Sequence, residues 1–169
     1  MKTIGIFYGT TTGATESLAK LIASNLGVHE KDVHDVSKTA PSAVGEYDVI
    51  LTGASTWGDG EMQDDMHDFL DGVKALDLKR KMAAAFGCGD ESMSDTFCNA
   101  VAEIYKALKG TGAEMIGEYN SIGYHFNHSD ASINGTTATV GLVIDDVNHS
   151  DLTEDKVKEW TDEIKKQIS

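Results

Sequence analysis

Gly9-Thr10-Thr11-Thr12-Gly13-Ala14-Thr15-Glu16 is the stretch of sequence that decides the fold. It lies between the apolar run at 4–8 and a segment with helical periodicity. A strand, a hydroxyl-rich turn and a helix in that order place backbone N–H groups at a helix N-terminus, where they bind anions. No lysine or arginine lies between Thr3 and Ser17, whereas a polyphosphate site uses a lysine and a magnesium ion. The stretch therefore predicts a site for a single phosphate monoester, as in a mononucleotide.

Length and composition predict one domain over residues 1–169, since 169 residues with 40% hydrophobic content suffice for a proper core. No apolar run approaches the roughly 18 residues of a membrane span, and the N-terminus has no signal-peptide h-region. We therefore expect a cytoplasmic protein without a membrane partner. The two cysteines, Cys88 and Cys98, are too few for a disulfide framework, and either two buried thiols or a single bridge fits them.

The chain is strongly acidic, with 14 Lys+Arg against 28 Asp+Glu and a formal net charge of −14. Nucleic acids and anionic membranes repel such a chain. A protein partner would have to present a basic docking face. Acidity that only keeps the protein in solution fits the composition equally well.

Strand and helix patterns alternate along the sequence, which predicts a parallel, doubly wound α/β sandwich. Strands are predicted at 2–8, 32–36, 47–54 and 81–87, with a fifth in two parts at 114–118 and 139–145. Helices are predicted at 12–26, 62–73, 94–109 and 154–168, the last one capped by residues 150–153. The polar segment at 119–138 is predicted to be an inserted loop or a small hairpin.

Glycine-bearing loops are predicted after the first, third and fourth strands, at 9–16, 53–61 and 87–98. Ligands of an open parallel sheet bind beyond the C-terminal strand ends, so these loops are the candidate site. Trp57 lies in the second loop. It either packs onto the adjacent helix or forms a stacking wall for an aromatic ring, and the glycines and acids around it favour the wall.

These loops resemble those of the flavodoxins, the small FMN-carrying electron-transfer proteins. The matching motifs are Thr10-Thr11-Thr12-Gly13-Ala14-Thr15, Ser55-Thr56-Trp57-Gly58-Asp59-Gly60 and Gly87-Cys88-Gly89-Asp90 followed by Phe97. Ser121-Ile122-Gly123-Tyr124-His125-Phe126 and Gly141-Leu142-Val143-Ile144-Asp145 resemble the long-chain branch, which carries an insertion in strand five. The resemblance covers essentially the whole chain. It implies a flavodoxin-like three-layer sandwich with a five-stranded parallel sheet in the order 2-1-3-4-5 and helices on both faces.

The resemblance also implies which residues hold non-covalently bound FMN. The phosphate would be held by Thr10, Thr11, Thr12, Gly13, Ala14 and Thr15. The flavin ring would be lined by Ser55, Thr56, Trp57, Gly58, Asp59 and Gly60, with Trp57 against its inner face. Its pyrimidine edge would meet backbone groups of Gly87, Cys88, Gly89 and Asp90, and the remaining members of the set are Met93, Phe97 and Cys98. Cys98 fits either an approach to the flavin or a place in the core.

Two features of the site distinguish this chain from many flavodoxins. Many members place a tyrosine over the outer flavin face where this chain has Met93, which predicts a more exposed flavin or shifted potentials. Some long-chain members have an acid at the position of Val147, so no side-chain contact to the ribityl chain is carried over there.

The function implied is that of a low-potential one-electron carrier that shuttles between semiquinone and hydroquinone. The Gly58–Asp59 peptide would turn over on one-electron reduction so that its carbonyl accepts the new proton on flavin N5. Acids on the cofactor rim would disfavour the anionic hydroquinone; they are Asp59, Glu61, Asp64, Asp65, Asp90, Glu91 and Asp95. The implied partners are flavodoxin reductase and other redox proteins with basic faces, and the protein is expected to be monomeric. No catalytic residue or metal site is expected, since His125-x-x-His128 has no third ligand nearby.

Two other classes of protein have the predicted topology. An FMN-dependent NAD(P)H:quinone or azo reductase would share the fold, but it needs room over the flavin for a hydride donor, and the chain has no obvious second nucleotide loop. A phospho-receiver signalling domain needs an aspartate at the end of strand one, where this chain has Gly9 and Thr10.

Overall fold

A parallel sheet forms the middle layer of the protein, for which the computed structural model describes residues 2–57 and 60–169. The strands are β1 (Ile4–Gly9), β2 (Val33–Asp35), β3 (Val49–Trp57), β4 (Glu61–Met62), β5 (Met82–Cys88), β6 (Glu114–Met115), β7 (Tyr119–Asn120), β8 (Ala138–Thr139) and β9 (Leu142–Ile144). The α-helices are α1 (Ala14–Leu26), α2 (Asp64–Val73), α3 (Asn99–Gly110) and α4 (Ser150–Ile168). Short 3-10 turns at Glu30–Asp32, Val36–Lys38 and Pro41–Glu46 connect the first three strands.

The order of the sheet is β2-β1-β3-β5, and both β6 and β9 pair in parallel with β5 at its outer edge. The fifth position is thus filled by two short strands, which confirms the predicted order 2-1-3-4-5 and the interruption of the fifth strand. The insertion between them contains the antiparallel pair β7–β8, in which Tyr119 lies opposite Thr139. One detail was not predicted: β4 pairs antiparallel with the end of β3.

Helices cover both faces of the sheet, which gives three layers. On one face α1 and α4 pack against side chains such as Ile6, Leu51 and Phe86. On the other face α2 and α3 pack against Phe7, Ile50 and the small residues Ala83 and Ala85. The central strands are buried on both faces, which explains why their sequences are continuously apolar rather than alternating. No helix among the described residues is both long enough and apolar enough to cross a membrane.

The start of α3 differs from the prediction, which placed it at residue 94. The helix begins at Asn99, because Cys98 has a left-handed backbone with φ 52° and interrupts the helical ladder. The carbonyl of Ser94 accepts hydrogen bonds from two N–H groups of the insertion, those of Asn127 at 2.7 Å and His128 at 2.8 Å. Tertiary contacts therefore override the helical periodicity of residues 94–98.

Other boundaries also differ from the predictions, among them the start of α2 at Asp64 rather than residue 62 and the end of β6 at Met115 rather than residue 118. α4 begins at Ser150 with His149 as its N-cap, and Thr153 donates to Asp146 Oδ1 at 2.7 Å instead of capping the helix. α1 begins at Ala14 rather than residue 12. β3 continues to Trp57, so Ser55, Thr56 and Trp57 end a strand instead of lying in a loop.

Trp160 joins α4 to the point where the fifth strand is interrupted. Its ring is fully buried beside Phe86, and its Nε1–H donates to the carbonyl of Gly117 at 2.8 Å. Gly117 has φ 83°, a left-handed conformation that glycine adopts easily. This contact fixes the helix across the edge of the sheet where β6 ends.

We predict that Trp160→Phe lowers the free energy of unfolding of the apoprotein by about 2–3 kcal/mol, because it leaves a cavity and an unpaired buried carbonyl. The measurement is chemical unfolding followed by far-UV circular dichroism. Ile122→Ala is the control, because Ile122 is 64% exposed. Equal stability of the Trp160→Phe variant and the wild type would contradict the assigned contact.

Candidate functional site

Strand register brings the three candidate loops to one edge of the sheet. Gly9 at the end of β1 lies opposite Ala54 of β3, and Ser55 of β3 lies opposite Cys88 of β5. The segments that follow these strand ends are therefore neighbours at the C-terminal edge, where open parallel sheets bind ligands.

The first loop ends at the N-terminus of α1, with Gly13 as the N-cap residue at φ 94°. Its N–H donates to Thr10 Oγ1 at 2.9 Å, which closes the loop on itself. Thr11 and Thr12 are exposed. Space beside Gly13 is open, since a Cβ built there would meet nothing within 4 Å. The first-turn N–H groups of a helix have no intrahelical partner, so this end of α1 can hold an anion.

Thr15 differs from the other threonines of this loop. Its side chain is fully buried, and its Oγ1 lies 2.6 Å from Ser55 Oγ at the end of β3. The hydrogen bond between the two hydroxyls joins the first loop to the second. It engages the buried Thr15 side chain in the scaffold, and the Thr15 backbone N–H remains for a ligand.

The second segment is a hairpin in which Trp57 lies opposite Glu61. Trp57 is 40% exposed, and none of the close ring pairs among the described residues includes it. Thr56 Oγ1 accepts a hydrogen bond from the N–H of Ala100 at 2.9 Å, so it holds the start of α3. Gly60 has φ 95° and donates to the Trp57 carbonyl at 3.0 Å. Gly58 and Asp59 lie outside the described residues.

The third loop begins where β5 ends and consists of a series of tight turns. A Cβ on Gly89 would lie 2.8 Å from Cys98 Sγ and 2.9 Å from the Cys98 backbone nitrogen, so only glycine fits there. Asp90 Oδ1 accepts hydrogen bonds from the Ser92 hydroxyl at 2.6 Å and from the Ser92 N–H at 2.9 Å. The bond from the Ser92 hydroxyl, followed by the bond from its N–H, lowers the pKa of Asp90. Met93 lies at the tip of the loop and is 50% exposed.

Phe97 and Cys98, included in the candidate cofactor set, have their side chains in the core rather than in the cleft. Phe97 is stacked on Phe126 with ring centroids 4.7 Å apart. Cys98 is fully buried, and its Sγ lies 3.8 Å from the carbonyl oxygen of Ile144. Both cysteines are free thiols, which resolves the choice between thiols and a bridge. Burial raises the pKa of the Cys88 thiol to about 12 and that of Cys98 well above its usual value, so both stay protonated.

A carboxylate that sequence reasoning missed joins the third loop to the turn after β9. Asp145 is fully buried, and its Oδ1 accepts from the N–H groups of Val147 and Asn148 at 3.0 and 2.9 Å. Its Oδ2 accepts from the Glu91 N–H at 3.0 Å and from Asn148 Nδ2 at 2.9 Å. The signal for it was available: an aspartate directly after an apolar strand caps the N–H groups two and three residues further on.

His149 and Glu91 extend this network. His149 Nε2 lies 2.8 Å from Glu91 Oε1, while Glu91 Oε2 accepts from the N–H of His125 at 2.7 Å. Asn148 Nδ2 also donates to Asp90 Oδ1 at 2.8 Å. Polar contacts therefore join the third loop, the insertion and the turn after β9, in addition to the packing of Phe97 on Phe126.

Charge is distributed unevenly between the two edges of the sheet. The C-terminal edge carries the acids of β4, the start of α2 and the third loop, namely Glu61, Asp64, Asp65, Asp90, Glu91 and Asp95. The loops at the opposite edge, before β1, β3 and β5, are mixed in charge: they carry Lys2, Lys79, Arg80 and Lys81 beside Glu46, Asp48 and Asp77. A ligand or partner that approaches the candidate site therefore meets a negative potential.

Comparison with known proteins agrees with the arrangement of these loops. The family model described as Flavodoxin matches residues 6–160. The chain is 37% identical over 169 residues to Flavodoxin 1 of Escherichia coli K12, covering 99% of this chain and 96% of that one. It is 38% identical over 165 residues to a flavodoxin of Buchnera aphidicola, covering 97% and 96%. A Fusobacterium nucleatum flavodoxin, crystallised with flavin mononucleotide, superposes with a TM-score of 0.88 at 26% identity and 99% coverage of both chains.

We predict that Asp145→Asn destabilises the apoprotein by about 2–4 kcal/mol, because an amide NH₂ would face N–H donors in a buried site. Asp146→Asn is a matched control, since Asp146 is the exposed neighbour and its Oδ1 accepts from the Thr153 hydroxyl at 2.7 Å. It should cost less than about 1 kcal/mol. Chemical unfolding of both variants at neutral pH makes the measurement. Similar losses in the two variants would show that the Asp145 network is not a special constraint.

Proposed function

The chain belongs to the flavodoxin family of electron-transfer proteins, and we propose that it is a low-potential one-electron carrier that binds FMN non-covalently between its three loops. The observation that carries the proposal is a helix N-terminus without a cation, next to a half-exposed tryptophan at the end of the adjoining strand. A phosphate monoester and an aromatic ring on one ligand fit these two features together.

The phosphate is assigned to the first loop. Thr10, Thr11 and Thr12 supply hydroxyls, while Gly13, Ala14 and Thr15 supply backbone N–H groups. The nearest cation in the sequence, Lys20, is 3.4 Å from Glu16 Oε1 and is partnered by that acid. Hydrogen bonds and the helix dipole therefore carry the phosphate binding, with no ionic partner within the loop.

The flavin ring is assigned to the cleft between the second and third loops. The exposed face of Trp57 supports a stacking role on the inner side of the ring, and the exposed Met93 supports a covering role on the outer side. Thr56 and Ser55 contribute through the scaffold, because their hydroxyls are engaged by Ala100 and Thr15. Gly60, Gly87, Cys88, Gly89 and Asp90 are assigned through their backbone groups. Phe97 and Cys98 support these loops from the core.

The proposed rotation of the Gly58–Asp59 peptide on reduction concerns residues outside the described ranges. Support for it comes from the sequence, since a glycine at residue 58 makes such a rotation sterically easy. The assignment of these two residues to the flavin rests on the family motif alone.

The acidic rim supports a low reduction potential. When bound, FMN supplies the redox chemistry and gains negative charge when it is fully reduced. Each carboxylate about 10 Å away disfavours that charge by roughly 0.4 kcal/mol even in water. Several such acids together amount to about 1–2 kcal/mol, or tens of millivolts at about 59 mV per tenfold for one electron.

The same acids support docking of basic-faced redox proteins, such as a flavodoxin reductase or other electron donors and acceptors. We propose a monomer that works in the cytoplasm, in keeping with two free thiols in a reducing compartment. The reductase alternative gains no support, because the relatives named above are flavodoxins.

The first test is a reductive titration of the FMN-loaded protein, followed by absorbance. We predict that a long-wavelength band rises with the first electron equivalent and falls with the second. Passage to the fully reduced spectrum without that band would contradict one-electron transfer. Oxidation of NAD(P)H at a steady rate without an added reductase would favour the reductase class instead.

The second test separates the phosphate site from the ring site. Thr12→Val should weaken FMN binding about tenfold, since it removes one hydroxyl donor to a charged phosphate, and should leave riboflavin binding unchanged. Thr137→Val is the control, because Thr137 is an exposed threonine of the insertion. Quenching of flavin fluorescence gives both dissociation constants. Equal weakening for FMN and riboflavin would mean that Thr12 acts on the ring site or on the fold.

A further inference from the structure

In the third loop, the side chain of Glu91 contacts both the insertion and His149, the N-cap residue of α4. Its Oε2 accepts from the His125 N–H, and its Oε1 lies 2.8 Å from His149 Nε2. Its own N–H donates to the buried carboxylate of Asp145 at 3.0 Å. Neither Glu91 nor His149 belongs to the set assigned to FMN. They act on that set through the backbone, since Glu91 follows Asp90 directly.

We propose that His149 is a positioning residue whose protonation holds the third loop closed through Glu91 and thereby tightens FMN binding as the pH falls. This inference rests on the proposed FMN site and concerns its regulation. A hydrogen bond between an imidazolium and a carboxylate is roughly twice as strong as the one made by a neutral imidazole. The apparent affinity of a ligand scales with the fraction of protein whose site is already formed.

Tyr124 and Glu91 both contact the His149 side chain. Tyr124 lies against it with ring centroids 5.5 Å apart, and burial raises the pKa of that phenol far above neutrality. The His125 N–H, followed by the His149 side chain, lowers the pKa of Glu91, which stays a carboxylate. His125 is exposed and contacts Glu91 through its backbone.

Two further charged groups lie close by. One carboxylate oxygen of Asp145 lies within 4.8 Å of a Glu91 carboxylate oxygen and of a ring nitrogen of His149, so two acidic side chains face the imidazole. Lys156 lies on the Tyr124 ring, with Nζ 4.7 Å from its centroid, and donates to the Ile122 carbonyl. Burial lowers the pKa of Lys156, while the nearby Glu159 carboxylate raises it.

The test compares FMN dissociation constants of wild type, His149→Gln, Glu91→Gln and His128→Gln apoproteins at about pH 6 and pH 8. The phosphate of FMN titrates near pH 6 whichever variant is measured, so its effect on the dissociation constants cancels when variants are compared at one pH. We expect the affinity of wild type relative to His149→Gln to be about threefold greater at the lower pH. Glu91→Gln should behave like His149→Gln. His128→Gln should follow wild type, because it removes an exposed histidine that pairs with Asp130 at 2.8 Å within the insertion.

Thermodynamic linkage gives a second readout, whose main measurement uses the wild type. If a proton on His149 tightens FMN binding, then FMN binding must raise the pKa of His149 by the same coupling free energy. Proton NMR of the imidazole in the apo and FMN-loaded wild type measures this directly. An equal His149 pKa in both forms would overturn the inference, as would a wild-type ratio that does not change with pH. A shift that survives in Glu91→Gln would also overturn it, because it would reflect the charge of FMN acting through space.

The outcomes separate this inference from the proposed function. Failure of the wild-type apoprotein to bind FMN at neutral pH would contradict the proposed function itself. Normal FMN binding and normal one-electron reduction, with a ratio of wild-type to His149→Gln affinity that does not depend on pH, would contradict only the role of His149.

Discussion

The parallel register of β1, β3 and β5 is the constraint on which the rest of the site depends. Backbone hydrogen bonds place Gly9 beside Ala54 and Ser55 beside Cys88, so three loops distant in sequence share one edge. The hydroxyl pair of Thr15 and Ser55, 2.6 Å apart and buried, then ties the helix that follows β1 to the end of β3. Because the proposed anion site and the proposed aromatic wall lie on these two elements, the scaffold fixes their relative position.

The layout of the fold could be predicted from the sequence because it depends on periodicity that the chain carries locally. The buried strands are continuously apolar, and the insertion is polar and glycine-bearing between two halves of an interrupted strand. Boundaries that depend on distant contacts could not be found in this way. Residues 94–98 have helical periodicity, but the insertion binds the Ser94 carbonyl and Cys98 adopts φ 52°, so α3 starts later.

Individual side chains of the candidate site were harder to predict than its loops. Thr15, Phe97 and Cys98 belong to the candidate cofactor set, yet their side chains are buried and serve the scaffold. Asp145 and His149 lie outside that set and hold the third loop in place. Whether a polar side chain faces a ligand or a neighbouring loop depends on tertiary packing, and spacing along the chain does not record it.

The central claim is that hydrogen bonds and a helix dipole hold a phosphate without a cation, within a chain of net charge −14. The most direct measurement is the dissociation constant of FMN as a function of ionic strength at fixed pH. Salt screens the repulsion between the acidic protein and the dianionic ligand, so FMN should bind more tightly as salt is raised from about 0.01 M to 0.5 M. Binding that weakens steadily over the same range would indicate a cationic phosphate site and would contradict phosphate binding by hydrogen bonds and the helix dipole alone.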